Sequence, residues 1–145
     1  MRLVDANVLL YAHLTDFAEH DAARAWLEDK MNGTDPLALP WPSLLAFVRL
    51  STNRQIFRNP ISMEAAWAQV ENWLSVSVVW QPQPGKRHRE LLQSFLVGTG
   101  VTSNAVPDAH LAALAVEHGL IVCSADTGFG RFAGVRWENP LRSVS

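Results

Sequence analysis

Short apolar segments alternate with longer segments of helical periodicity along the chain, and this alternation constrains the fold more than any other feature. The clearest apolar segment is residues 120–123 (LIVC), which follows a predicted helix over residues 108–118. Other short strands are predicted at residues 3–4, 37–39, 76–80 and 135–137. Strands that alternate with helices in this way form parallel sheets with helices on both faces. The pattern therefore predicts an α/β fold.

The predicted helices are bounded by ordinary start and stop signals. They begin at about residue 8 and then cover residues 18–30, 43–52, 63–74, 86–97 and 108–118. Pro42 suits a first helical turn, Ser62 is a plausible N-cap, and Gly119 ends the last helix. There is no internal repeat or linker, so a single domain over residues 1–145 is expected.

Composition excludes several classes of protein. The formal net charge is −2 and 48% of residues are hydrophobic, which argues against a large non-specific cationic surface. The one cysteine, Cys123, cannot form an intramolecular disulfide, and its apolar neighbours predict a buried, inert thiol. No apolar run approaches the roughly 20 residues of a membrane span. We therefore expect a cytoplasmic protein that does not bind a membrane.

Three aspartates are expected to meet at one edge of the sheet. Asp5 follows the first strand and Asp126 follows the strand at 120–123, so both carboxylates enter one crevice if those strands are neighbours. Asp108 begins the helix face that packs on the sheet. Three unpaired carboxylates would repel each other, and a hard cation such as Mg²⁺ or Mn²⁺ would remove that cost. The sequence therefore predicts a divalent metal site.

Each aspartate also has a simpler structural explanation. Asp5 could cap the helix that follows it, and Asp108 could favour the positive end of its own helix. Asp126 precedes Thr127-Gly128 and could form an Asx turn.

Four segments together resemble the PIN-domain ribonucleases, and specifically the VapC-type toxins of bacterial toxin–antitoxin pairs. They are residues 4–12 (VDANVLLYA), 44–53 (LLAFVRLSTN), 107–113 (PDAHLAA) and 124–132 (SADTGFGRF). Each motif alone is weak, but their order and spacing along nearly the whole chain are specific.

This resemblance implies a three-layer α/β/α fold with a short central parallel sheet and an Mg²⁺- or Mn²⁺-dependent activity that cleaves RNA. It also implies a homodimer and an antitoxin partner that blocks the site. It assigns metal binding to Asp5 and Asp108 and an acidic-site role to Asp126. Asn7 and Ser124 match polar positions beside these acids.

One departure concerns a glutamate that many relatives carry on the helix after the second strand. Ala46 occupies that position, and no Asp or Glu occurs between residues 35 and 64. Water, Asn7 or Asn104 could supply the remaining ligands. Arg49 lies one turn from Ala46 and is the cation most expected to contact phosphate or to pair with an aspartate.

The leading hypothesis is a metal-dependent endoribonuclease that acts as a toxin on structured transfer or ribosomal RNA. A catalytically weak or inactive PIN-like protein that only binds RNA or a partner is an alternative, because of Ala46. A haloacid-dehalogenase-like phosphatase is a second alternative, although Asn7 replaces the second acid of that motif. Trp41 could stack an unpaired base, and His110 is expected at the surface.

Overall fold

The architecture is taken from a computed structural model that describes residues 1–142. The strands are β1 (Arg2–Val4), β2 (Leu37–Ala38), β3 (Val79–Trp80), β4 (Ile121–Cys123) and β5 (Arg136–Glu138). The helices are α1 (Ala6–His13), α2 (His20–Met31), α3 (Trp41–Ser51), α4 (Met63–Leu74), α5 (His88–Gly98) and α6 (Val106–His118). Two short 3₁₀ turns cover Ser103–Ala105 and Thr127–Arg131.

All described strand pairs are parallel, and their order is β3-β2-β1-β4-β5. β1 is therefore central and lies between β2 and β4, with Val4 opposite Cys123. The condition on which the predicted crevice depended is met, because the strands that precede Asp5 and Asp126 are neighbours.

Two separate apolar cores cover the two faces of the sheet. One packs α1, α2, α3 and α4 around fully buried side chains such as Leu9 and Phe47. The other packs α5, α6 and the turn after β4 around Leu114 and Phe129. Burying these faces removes apolar surface from water on both sides of the strands. The predicted three-layer α/β/α fold is thus confirmed.

Local signals set several helix ends where they were predicted. The Ser62 hydroxyl accepts a hydrogen bond from the Ala65 N–H at 3.0 Å and caps α4. Pro42 lies in the first turn of α3. Gly119 ends α6 with a φ of +69°, a left-handed conformation that glycine adopts at little cost.

Other boundaries differ from those predicted by a few residues. β3 is limited to Val79–Trp80, although apolar residues begin at Val76. α2 begins two residues later than predicted and α6 two residues earlier. Cys123 is fully buried as expected. Within residues 1–142, none of the helices is both long and apolar enough to cross a membrane.

Candidate active site

The three predicted aspartates are brought to one edge of the sheet by three different elements. Asp5 follows β1 and is the N-cap of α1. Asp126 follows β4 and begins the 3₁₀ turn Thr127–Arg131. Asp108 lies in the first turn of α6, the helix that leads into β4. Because β1 and β4 are parallel neighbours, their carboxyl ends meet at this edge.

Asp5 is held by hydrogen bonds to both of its carboxylate oxygens. Oδ1 accepts from the Ala6 N–H at 2.7 Å, and Oδ2 accepts from the Ser124 hydroxyl at 2.8 Å. Burial raises the pKa of Asp5 and the charge of Asp126 adds to that rise, whereas the bonds from Ser124 and Ala6 oppose it. Asp5 therefore does cap α1, through Oδ1. Both carboxylate oxygens keep further lone pairs that could bind a cation.

Asn7 and Ser124 form a buried polar network between the two strand ends. The Asn7 amide donates to the Ser124 hydroxyl at 3.1 Å and accepts from the Ala125 N–H at 3.2 Å. The fully buried Ser124 hydroxyl also accepts from the Asp126 N–H at 2.9 Å. These bonds tie the segment after β4 to the start of α1. Asn7 and Ser124 thus orient the acids beside them.

The carboxyl group of Asp108 has a strongly raised pKa. Its pKa is raised from 3.8 to about 6, first because burial penalises the charged form and then because Asp5 and Asp126 are negatively charged. A hydrogen bond with Asp126 adds to the rise, and the positive charge of Arg131 opposes it. The three acids are therefore close enough to repel one another.

Asp126 combines a local turn with its position beside the other acids. Its Oδ1 accepts from the Gly128 N–H at 2.8 Å, which is an Asx turn. The same carboxyl contacts Asp108, so the turn and the acidic cluster coexist.

The donor set at this edge suits a hard cation, since carboxylate and amide oxygens are the ligands that Mg²⁺ and Mn²⁺ prefer. The acids are nevertheless not drawn together as a finished metal centre. In the part of the chain that the structure describes, no three Asp, Glu, His or Cys side chains are grouped closely enough to hold an ion.

Arg131 is a site residue that the sequence reasoning missed. Its charge acts on Asp108, and its Nε donates to the Gly128 carbonyl at 2.6 Å. The only sequence signal was its place in the motif at 124–132. Two other residues that the sequence suggested for the site have exposed side chains. Arg49 is exposed on α3, and Asn104 is exposed in the turn before α6.

Trp41 was the aromatic residue predicted to stack an unpaired base. Trp41 stacks on Trp67, with ring centroids 6.4 Å apart and planes 11° apart, so a neighbouring indole already covers part of it.

His110 was expected at the surface, and that prediction was wrong. It is half-buried, and its Nδ1 lies 3.1 Å from Nε2 of the buried His88. The packing of α5 on α6 brings these two residues together. Helical periodicity does not predict the contact, because it relates residues only within one helix.

Comparison with known proteins identifies the family. Residues 2–135 match the PIN domain family. The chain is 46% identical over 140 residues to ribonuclease VapC37 of Mycobacterium tuberculosis, with 97% of each chain covered. It is 40% identical over 141 residues to VapC ribonuclease Mb2897 of Mycobacterium bovis, with 97% and 96% covered.

Solved structures share the fold at much lower identity. The DNA-bound VapBC complex of Salmonella typhimurium contains a chain with a TM-score of 0.67 at 18% identity, with 97% of this chain and 99% of that chain covered. The DNA-bound VapBC2 complex of Rickettsia felis gives 0.66 at 16%, with 95% and 97% covered. The family match, the VapC relatives and the shared architecture agree, and the chain therefore belongs to the PIN-domain family, within its VapC-type ribonucleases.

Proposed function

We propose that this chain is an endoribonuclease that depends on Mg²⁺ or Mn²⁺ and acts as the toxin of a toxin–antitoxin pair. The observation that carries the proposal is the convergence of Asp5, Asp108 and Asp126 at one edge of the sheet, where the negative charges of Asp5 and Asp126 raise the pKa of Asp108. Such a cluster is costly unless a cation joins it. The names of the VapC relatives support RNA as the substrate.

The roles of the chain's own residues follow from their contacts. Asp5, Asp108 and Asp126 would hold the cation, and Ser124 and Asn7 would keep the Asp5 carboxylate in position through their hydrogen bonds. When bound, a divalent cation lowers the pKa of a coordinated water and offsets negative charge on a phosphodiester. Structured transfer or ribosomal RNA is the proposed target class.

The test is cleavage of purified transfer and ribosomal RNA by wild type and by Asp5→Asn, with Mg²⁺ or Mn²⁺ and with a chelator. Changing groups that merely orient metal ligands commonly costs about 10- to 100-fold. We therefore expect Asp5→Asn to lower cleavage by more than about a hundredfold. Asp16→Asn, which removes the same charge from an exposed loop, should cleave like wild type. Equal cleavage by wild type and Asp5→Asn would refute the assignment.

A weak or inactive site is the second candidate, because no acid occupies the position of Ala46. Calorimetric titration with Mn²⁺ separates the two cases: binding that Asp108→Asn abolishes supports the enzyme, and no binding by wild type supports a protein that only binds RNA or a partner. PIN-family membership leaves the haloacid-dehalogenase alternative without support.

The partner proposal is an antitoxin encoded beside this gene, together with a homodimer of the chain. The solved VapBC and FitAB complexes with the same fold support this assembly. Co-expression with the product of a small adjacent gene should yield a co-purifying complex that no longer cleaves RNA. Light scattering of the isolated chain should give the mass of a dimer.

A further inference from the structure

Arg131 is an arginine whose side chain is fixed beside the acidic cluster. It closes the 3₁₀ turn Thr127–Arg131, and its Nε donates to the Gly128 carbonyl at 2.6 Å. Its guanidinium carbon lies 5.6 Å from the centroid of the buried Phe132 ring, in cation–π contact. An exposed arginine normally samples many rotamers, whereas these two contacts hold this one in the turn after β4.

Gly128 provides the space that the guanidinium occupies. A Cβ at this position would fall on Nη2 of Arg131, 3.0 Å from its Cζ and 3.1 Å from Oδ1 of Asp126. The guanidinium and the Asp126 carboxylate therefore lie on either side of one small gap. Gly130, two residues further on, has nothing within 4 Å of the equivalent point. Of the two glycines, only Gly128 is required by the position of Arg131.

Within residues 1–142, Arg131 forms no direct salt bridge with a carboxylate. The salt bridges among residues 1–142 join other residues, and the bond to Gly128 uses only Nε. The guanidinium nevertheless lies beside the acids, because Oδ1 of Asp126 is 3.1 Å from the same point at Gly128 that Nη2 of Arg131 overlaps. The terminal guanidinium nitrogens Nη1 and Nη2 thus keep their N–H donors available at the edge of the acidic cluster.

We propose that Arg131 binds the phosphodiester group that the acidic site cleaves, through two parallel hydrogen bonds from its guanidinium to the non-bridging oxygens. This inference rests on the proposed function, since it names the group that holds the substrate at that site. An acidic cluster repels an RNA backbone, and a fixed planar cation at its edge offsets that repulsion. Gly128 has a positioning role, because it leaves room for Arg131.

The experiment measures RNA affinity without cleavage. A short fluorescein-labelled single-stranded RNA is titrated with the Asp5→Asn protein, which is expected not to cut it, and anisotropy is followed at several salt concentrations in Mg²⁺. Adding Arg131→Ala should raise the Kd roughly tenfold, the loss expected for a charged hydrogen-bonding contact. The salt dependence of log Kd should fall by about 0.7, the value for one phosphate contact on a single strand.

Three further variants and one charge control distinguish a phosphate contact from a structural role. Gly128→Ala should lower RNA affinity in the same direction as Arg131→Ala, because the new methyl group overlaps Nη2 of Arg131 and also lies 3.1 Å from Oδ1 of Asp126. Gly130→Ala should bind RNA like the parent protein. Arg131→Lys should retain the salt dependence but recover only part of the affinity, since an ammonium cannot form the two-bond fork. Arg24→Ala, on an exposed face of α2, controls for net charge.

The outcomes separate this inference from the function on which it rests. If wild type neither cleaves nor binds RNA, the proposed function fails and the inference fails with it. If wild type cleaves RNA while Arg131→Ala matches Arg24→Ala in affinity and salt dependence, only the inference is overturned. The inference is also overturned if Arg131→Ala no longer binds the antitoxin but binds RNA like the parent protein. Arg131 would then contact a carboxylate of the partner instead of a phosphate.

Discussion

Replacing Asp108 with asparagine should make the metal-free protein more stable at neutral pH. The pKa of Asp108 is raised from 3.8 to about 6 by burial and by the charges of Asp5 and Asp126. The folded state therefore binds this proton more tightly than the unfolded state, and ionisation above pH 6 costs folding free energy. Asparagine has nearly the same shape and carries no charge, so it removes the cost.

The magnitude follows from the size of the pKa change. One pKa unit corresponds to about 1.4 kcal/mol, so the full difference would be on the order of 3 kcal/mol. Asp108 is only half-buried, and solvent screens part of this interaction. The N-terminus of α6 also favours the ionised form by roughly 0.3–1 kcal/mol. We therefore expect Asp108→Asn to be more stable by about 1–2 kcal/mol, which raises the Tm by roughly 3–6 °C.

The assay is thermal unfolding of wild type and Asp108→Asn in a chelator across a range of pH. The advantage of the variant should be complete at neutral pH, shrink as the pH falls through about 6, and vanish near pH 4, where wild-type Asp108 is protonated. Asp16→Asn is the control for loss of one charge. Adding Mn²⁺ should stabilise wild type but not Asp108→Asn. Equal stability of the two proteins at neutral pH, or an advantage that persists at pH 4, would refute the repulsion argument.

Two further predictions concern stability. Ser124→Ala should lower the free energy of unfolding by roughly 2–4 kcal/mol in chemical denaturation, because it removes a buried hydroxyl that donates to Asp5 and accepts from the Asp126 N–H; a loss below about 1 kcal/mol would mean that the network is not rigid. Gly119→Ala should lower the free energy of unfolding by about 1–2 kcal/mol in the same measurement, because the φ of Gly119 is +69°. Gly98→Ala should be neutral or slightly stabilising, because its φ is not positive and the space around it is open. Equal effects at the two glycines would contradict this explanation.

The aspartates show how far sequence reasoning reaches. An acid that directly follows a buried strand is visible in the sequence, as Asp5 and Asp126 are. Their proximity, however, required β1 and β4 to be neighbours, and the chain places about 115 residues between them. Local patterns do not specify which strands pair. The family resemblance implied a three-layer α/β/α fold without giving the strand order, and the structure shows β1 and β4 as neighbours.

Arg131 was missed and His110 was misplaced for a related reason. Periodicity places residues on the faces of one helix or strand, but it does not say which faces meet. The His88–His110 contact exists because α5 packs on α6. Arg131 acts on Asp108 because the turn after β4 packs in the same apolar core as the start of α6, with Phe129 and Ala109 both buried in it. In both cases the partner lies on another element, at a separation that only packing determines.

The sequence by itself determined the alternation of strands and helices, the capping residues Ser62 and Gly119, and the acids at the ends of two strands. These features depend on backbone preference and burial over a few residues, which local sequence encodes. Only the tertiary structure decided that the strands that precede Asp5 and Asp126 are neighbours, that Ser124 and Asn7 fix Asp5, and that Arg131 is held beside the acids. Electrostatic coupling and hydrogen bonding depend on distances between elements, and those distances arise only when both faces of the sheet are packed.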